Sequence, residues 1–236
     1  MGSTLYLEDS YMKECEATVQ SVKDGKYITL DKEIFYPKGG GQPWDTGKIV
    51  KDGEEYNVIF VGKFDGKISH EVDKEGVKEG DKVKCILNWE RRYKLMKSHT
   101  SAHILASVMN KELGVLITGN QLGEDKTRFD FNMENFERDK MEECVKKTNE
   151  ILKQDIPLKI YTLPREEAMK IPGVVKLAAA LPPAIKELRI VEMGDVDIQA
   201  DGGTHVNNVN ECGQIELLKL ENKGKNNRRI YFKLID

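Results

Sequence analysis

The chain has four histidines, and three of them fall in two short stretches: SHTSAHIL, Ser98 to Leu105, and DGGTHV, Asp201 to Val206. On an α-helix, residues four apart lie above one another on one face, so His99 and His103 present two imidazoles to a common point. Alone, HxxxH is a weak signal, because a half-buried imidazole also satisfies itself with a carbonyl or a water. The second stretch adds weight. It places a third imidazole, His205, after a carboxylate and two glycines that let the backbone turn sharply and come close to something. Three imidazoles in two such contexts predict a zinc-type site. It is not that of a helical zinc peptidase, where HExxH supplies a glutamate as general base. The residues between the two histidines here are Thr100, Ser101 and Ala102, and none can do that work. Hydrolysis at such a site draws on a metal-held or substrate-held water, or on polar and backbone groups.

Helix and loop must be carried by something. WERRYKLMKSHTSAHILASVMNKELG reads as one helix, with Met96, His99, His103, Ala106 and Asn110 on one stripe, ended by Gly114. Ahead of it, the first 88 or so residues alternate as short strands around Asp24-Gly25, Asp52-Gly53 and Asp65-Gly66. Asp-Gly is a strong hairpin signal because a type I′ turn needs positive φ at both central positions. Three such turns in so short a span predict a small closed or nearly closed barrel. Beyond the helix, KTRFDFNM, PLKIYTL and LRIVEM read as strands, ERDKMEECVKKTNEILKQ as an amphipathic helix and REEAMK as a short one. The final stretch reads as two strands joined by a basic turn. The expected class is α+β: a β-barrel domain over 1–88 with a glycine-rich loop, then a mixed α/β domain over 89–236, a sheet with flanking helices.

The bulk numbers agree. Two domains are the natural prior for 236 residues, and 39% hydrophobic with 33% charged suits a globular chain with a real core. No run approaches a membrane span, and the N-terminus shows no secretory pattern. Four cysteines without a CxxC pair fit a reducing cytoplasm better than a disulfide framework. A net charge of −3 argues against coating nucleic acid with the whole surface and leaves room for a local basic patch.

With SHTSAHIL, DGGTHV and the terminal KGKNNRRIYF together, the chain resembles the free-standing alanyl-tRNA editing proteins. These are similar to the editing domain of alanyl-tRNA synthetase and more distantly to that of threonyl-tRNA synthetase. FYPKGGGQPWDTG, Phe35 to Gly47, matches a glycine-rich segment of the longer members, which keep an N-terminal barrel like an elongation-factor domain. The resemblance covers nearly the whole chain. It implies a trans-acting hydrolase that cleaves the ester of mischarged tRNA(Ala), seryl and in longer forms also glycyl. It also implies one Zn2+ held by His99, His103, Asp201 and His205. The family usually has cysteine where Asp201 stands. Asp201 is then a carboxylate ligand, or a group that orients a histidine or water, or the mark of a site that has lost catalysis. A carboxylate in place of the softer thiolate should loosen the preference for zinc over other divalent metals. Cys212 reads as a buried small residue rather than a replacement ligand.

Other roles follow more weakly. Backbone N–H groups of Gly202, Gly203 and Thr204 suit a developing oxyanion. Thr118, Asn120 and Gln121, read as a polar loop after the first helix, suit a serine hydroxyl, or else simply cap the next element. Gly40, Gly41 and Gln42, with Trp44, suit contact with a ribose or terminal base, or else a tight turn at a barrel rim. Lys223, Lys225, Arg228 and Arg229, flanked by Tyr231 and Phe232, form the main basic cluster for the tRNA acceptor end, with Arg91, Arg92 and Lys94 a lesser one. A charge run is otherwise a solvated face. Arg128 reads as a structural ion pair. The competing functions are a tRNA-binding module with a degenerate metal site and a metallohydrolase of small esters or amides that ignores RNA.

Overall fold

A computed structural model describes residues 3–134, 137–174 and 185–235. The chain divides into two compact units, Met1–Leu95 and Met96–Asp236. The division falls inside the long helix rather than at its start.

The first unit opens with a single helical turn, α1 (Leu5–Glu8), and then six strands: β1 (Glu14–Lys23), β2 (Tyr27–Leu30), β3 (Gly47–Lys51), β4 (Glu54–Phe64), β5 (Lys67–Val72) and β6 (Lys82–Leu87). They form a closed barrel in the order β1-β2-β5-β4-β3-β6, with β1 also pairing antiparallel to β6. The three Asp-Gly pairs make the β1–β2, β3–β4 and β4–β5 turns, and both residues of each have positive φ, as at Asp52 (50°) and Gly53 (82°). Inward residues alternate along the strands, as at Val83, Cys85 and Leu87 of β6, and the interior packs Ile28, Ile34, Phe35, Ile49, Val61 and Val72.

One buried charge pair organises the barrel's glycine-rich segment. Arg92 is fully enclosed, and its guanidinium donates to Asp45 Oδ2 through Nε (2.9 Å) and Nη2 (2.5 Å). Its remaining N–H groups reach the carbonyls of Ser10 (2.9 Å) and Ile34 (2.7 Å). The same carboxylate oxygen accepts the Tyr36 N–H. Burial of the pair is offset because nearly every donor of the fork is used. Arg92, from the lesser basic cluster, therefore holds the chain together from within.

Helix α2 (Trp89–Leu113) begins in the first unit and runs on through the second. From Ser98 to Met109 every residue is buried. The helix is enclosed on all sides over that stretch, and small residues (Ser98, Thr100, Ser101, Ala102, Ala106, Ser107) let neighbours come close. The second unit continues with β7 (Ile117–Gln121), β8 (Thr127–Phe131), α3 (Arg138–Leu152), β9 (Lys159–Pro164), the short α4 (Arg165–Ala168), β10 (Glu187–Met193), β11 (Asp197–Ala200), a 3-10 turn (Val209–Cys212), β12 (Gln214–Asn222) and β13 (Arg228–Ile235). These build two antiparallel sheets, β12-β13-β8-β7 and β11-β10-β9. The α3 helix buries Met141, Cys144, Thr148 and Leu152, and its Asn149 side chain both donates to and accepts from the Ile215 backbone of β12. No described helix is long and apolar enough to cross a membrane.

Candidate metal centre

Two elements of the second unit deliver the candidate ligand side chains. α2 carries His99 and His103. The β10–β11 hairpin delivers the chain to Asp201, whose N–H still pairs with the Arg189 carbonyl (3.0 Å). The helix and hairpin are tied together at the hairpin's tip. Ser107 Oγ donates to the Val196 carbonyl (2.5 Å), and Lys111 Nζ donates to those of Asp195 (3.0 Å) and Val196 (3.1 Å). Beyond Asp201 the chain bends through Gly202 and Gly203 and returns with His205.

His99, His103, Asp201 and His205 converge, each offering one ligand atom, and those atoms all lie within 4.8 Å of one another. Asp201 Oδ2 is 3.6 Å from His99 Nε2 and 3.7 Å from His103 Nε2, while Oδ1 is 3.2 Å from His205 Nε2. A tetrahedral ion with bonds near 2.1 Å spaces its ligand atoms about 3.4 Å apart, and the separations from Oδ2 to the His99 and His103 nitrogens come close to that value. Three imidazoles and a carboxylate are also the right donor chemistry. The rings are buried, and the Asp201 side chain keeps 22% exposure.

Partners behind the ligands hold the rings in place. His103 Nδ1 bonds Asp197 Oδ2 (3.0 Å), and Gln199 Nε2 donates to the same oxygen. His205 Nδ1 bonds Thr100 Oγ1 (3.1 Å), which also accepts the Val206 N–H. With Nδ1 engaged on both rings, Nε2 is left for an ion, an arrangement typical of metal-bound histidines. Arg189 Nη1 donates to the carbonyls of Asp201 (3.1 Å) and Gly203 (3.1 Å), clamping the ligand loop.

The electrostatics match a cation-binding cluster. Burial drives His99 well below its usual pKa and His205 down to about 4, with the Asp201 charge opposing in both cases. Burial acts the same way on His103, but Asp197 and Asp201 outweigh it and raise it to about 9. Burial would raise Asp201, but the three imidazoles outweigh it and hold the carboxyl well below its usual range. Two neutral imidazoles and an ionised carboxylate are the forms that bind a metal, whereas His103, held protonated by Asp197 and Asp201, must give up its proton to an incoming ion.

The two loop glycines differ. A Cβ on Gly203 would run into the His99 ring at Cε1 and Nδ1, whereas one on Gly202 meets nothing within 4 Å. Gly203 is glycine for space. Its N–H donates to Asp201 Oδ1 (2.5 Å), so it is committed to the ligand. Thr204 is fully buried and Gly202 exposed.

The remaining sequence candidates fall as follows. Thr118, Asn120 and Gln121 lie on strand β7, with a bulge at Thr118, rather than in a loop. Gly40 and Gly41 (φ 57° and 87°) turn a tight hairpin closed by reciprocal Gly39 and Gln42 backbone bonds. Gln42 is only 1% exposed, and Trp44 Nε1 donates to the Ile59 carbonyl. In the basic cluster, Arg228 is buried and donates to Asn222 Oδ1 and to the carbonyls of Gly224, Asn227 and Glu134. Arg229 makes a two-pronged pair with Asp130 (2.6 and 3.0 Å), which Arg128 also approaches (4.0 Å). Lys223 pairs with Glu221 (3.0 Å), and Lys225 is exposed. Cys212 is buried, with its thiol pushed up to about 12 by burial, and lies outside the ligand group.

Asp197, Thr100 and Arg189 were not singled out from sequence. Asp197 had a signal: with Gln199 it puts polar side chains on the inward face of an alternating strand, and both are buried.

Two family models match: "tRNA synthetases class II (A)" over residues 5–91, and "Threonyl and Alanyl tRNA synthetase second additional domain" over residues 188–231. The chain is 50% identical to "Alanyl-tRNA editing protein AlaX-M" of Methanosarcina barkeri over the full length of both. The chain belongs to the alanyl-tRNA editing protein family. A second family member, from Saccharolobus solfataricus, is 47% identical with 98% of each chain covered. The likeness extends to larger enzymes: 92% of the chain matches a quarter of the alanine–tRNA ligase of Pyrobaculum calidifontis at 35% identity.

Proposed function

We propose that the protein is a trans-acting, metal-dependent deacylase of mischarged tRNA(Ala), acting on the seryl and glycyl esters. The observation that carries this reading is the four-sided His99–His103–Asp201–His205 cluster, in a chain alike along its whole length to proteins named for alanyl-tRNA editing. The need for such an activity is physical. A pocket shaped for a methyl side chain cannot strongly reject glycine or an added hydroxyl by binding alone, so a second site must remove the errors.

His99, His103, Asp201 and His205 would hold one zinc ion, which when bound supplies Lewis-acid polarisation of the ester or of an attacking water. The chain's own groups do the rest. Asp197 and Thr100 keep the His103 and His205 rings turned with Nε2 inward. Arg189 and the Gly203 N–H keep the Asp201 carboxylate aimed at the imidazoles. The exposed Gly202 backbone, with open space beside it, is the group for charge building on the ester oxygen, since the Gly203 N–H is taken by Asp201 and Thr204 is fully buried. Water adds to the ester carbonyl, the bond to the ribose oxygen breaks, and the amino acid and free tRNA leave. Thr118, Asn120 and Gln121 serve as contacts for the aminoacyl group, and the glycine-rich turn over Gly40 and Gly41 as a contact for the tRNA. Lys225 serves the tRNA phosphates, since the buried Arg228 and the paired Arg229 and Lys223 serve the fold.

Incubation of the protein with seryl-, glycyl- and alanyl-tRNA(Ala) tests the reading. Loss of the seryl ester that disappears in His103→Ala and after chelation is the expected result. Tight tRNA binding without turnover would make the protein a binding module instead, and turnover of small esters unaffected by tRNA would make it a general esterase.

A further inference from the structure

The barrel seam carries two cysteines that the proposed reaction does not use. The pairing of β1 with β6, first strand with last, closes the barrel. In that ladder Cys15 stands directly opposite Cys85, and two residues on Ala17 stands opposite Val83. All four belong to the inward-facing set: Ala17, Val83 and Cys85 are buried, and Cys15 is half-buried against the barrel core. Directly opposed residues of an antiparallel pair have Cα atoms about 4.5–5.5 Å apart, inside the roughly 4.4–6.8 Å that a disulfide spans.

The two thiols also hydrogen-bond each other, and their environments differ. The bond from Cys85 lowers the Cys15 pKa against the opposing effect of burial, with Lys32 adding to the lowering. Cys85, wholly enclosed, is raised well above its usual value by the same bond and by burial. The half-exposed thiol is thus the better nucleophile, with a second thiol held beside it. Cys144 and Cys212 differ: burial pushes them up to about 11 and about 12, and the groups acting on them are carboxylates, lysines and Ser101 rather than a cysteine.

We propose that Cys15 and Cys85 are a redox-modification site, which a low-molecular-weight disulfide converts to an intramolecular bond across the barrel seam without unfolding the barrel. The Cys15 thiolate attacks one sulfur of the oxidant; that S–S bond breaks, a mixed disulfide forms and one thiolate leaves, to be protonated. Cys85 then gives up its proton and attacks the Cys15 sulfur, expelling the second small thiol. Two protein thiols are oxidised and one small disulfide is reduced to two thiols. The new bond joins first strand to last and closes nearly the whole barrel sequence into one loop, which restricts the unfolded chain more than a short loop would.

The test incubates the folded full-length protein with glutathione disulfide, alkylates the remaining thiols, and measures intact mass and peptide linkage. Alkylated under denaturing conditions, the expected product carries two alkyl groups, on Cys144 and Cys212, where the reduced protein with its four free cysteines carries four, and it is otherwise lighter by two hydrogens with Cys15 linked to Cys85. Dithiothreitol should reverse it, and the oxidised form should melt at a higher temperature. Cys85→Ser should stop at a glutathione adduct on Cys15, and Cys15→Ser should leave Cys85 untouched. Four alkylatable thiols after incubation, a lasting adduct on Cys15 of the wild type, a linkage through Cys144 or Cys212, or a bond that forms only in urea would each overturn the proposal.

Discussion

Replacing Gly203 by alanine adds one methyl group at a position where the structure has no room for it. An ideal Cβ there overlaps the His99 ring and comes within 2.9 Å of Asp201 Oδ1. The backbone cannot easily retreat, because Arg189 Nη1 holds the Asp201 and Gly203 carbonyls (both 3.1 Å) and the Gly203 N–H is bonded to Asp201 Oδ1 (2.5 Å). The imidazole must therefore give way by about an ångström to restore van der Waals contact, which takes one ligand out of alignment with the others. Overpacking of this kind costs about 1–3 kcal/mol of stability. Disturbing the supports of a metal ligand costs about 10–100-fold in metal affinity, and a misplacement of about 1 Å costs about 100-fold in rate. Gly202→Ala is the matched control for metal affinity, because nothing lies within 4 Å of its added carbon. Competition between each purified variant and a chromophoric chelator gives the affinities, with circular dichroism to confirm folding. If Gly203→Ala binds the ion as tightly as wild type, or Gly202→Ala loses as much affinity as Gly203→Ala, the steric argument is refuted.

Three further outcomes follow from the same geometry. Asp197→Asn removes the carboxylate behind His103 and should weaken metal binding about 10–100-fold, read by the same competition; unchanged affinity would show that this carboxylate does not orient the ring. Asp45→Asn leaves the enclosed Arg92 charge without its counter-charge and should cost about 3–5 kcal/mol in chemical denaturation, a cost below 1 kcal/mol contradicting the pairing. Lys225→Ala should weaken tRNA binding and reduce the slope of log affinity against log salt by about one. An unchanged slope would remove Lys225 from the tRNA surface.

Much of this was legible before any coordinates. The Asp-Gly pairs marked three barrel hairpins, because the required positive φ values leave few other residues to choose. The spacing of His99 and His103 and the bend before His205 pointed to one cluster, since a helical repeat and a glycine turn are local properties. What escaped the sequence depended on tertiary surroundings. The spacing put Met96, His99, His103, Ala106 and Asn110 on one stripe but did not show that α2 is enclosed on every side from Ser98 to Met109. Small polar residues there serve close packing, not solvent. Arg228 and Arg229 read as a single basic patch. On a strand, adjacent side chains point to opposite faces, and here one arginine turns inward while the other meets Asp130. Gln42 and Arg92 looked available for RNA because charge and polarity alone do not say which polar groups are enclosed.

The tie between the long helix and the β10–β11 hairpin has a consequence for biosynthesis. His99 and His103 leave the ribosome nearly a hundred residues before Asp201 and His205. For that interval the growing polypeptide has half a chelating set and no carboxylate to complete it. If the four residues hold an ion as proposed, its full-strength capture must wait until the hairpin has emerged and docked on the helix, making it one of the last events of maturation, so nascent chains stalled before the hairpin should release metal readily to a competing chelator.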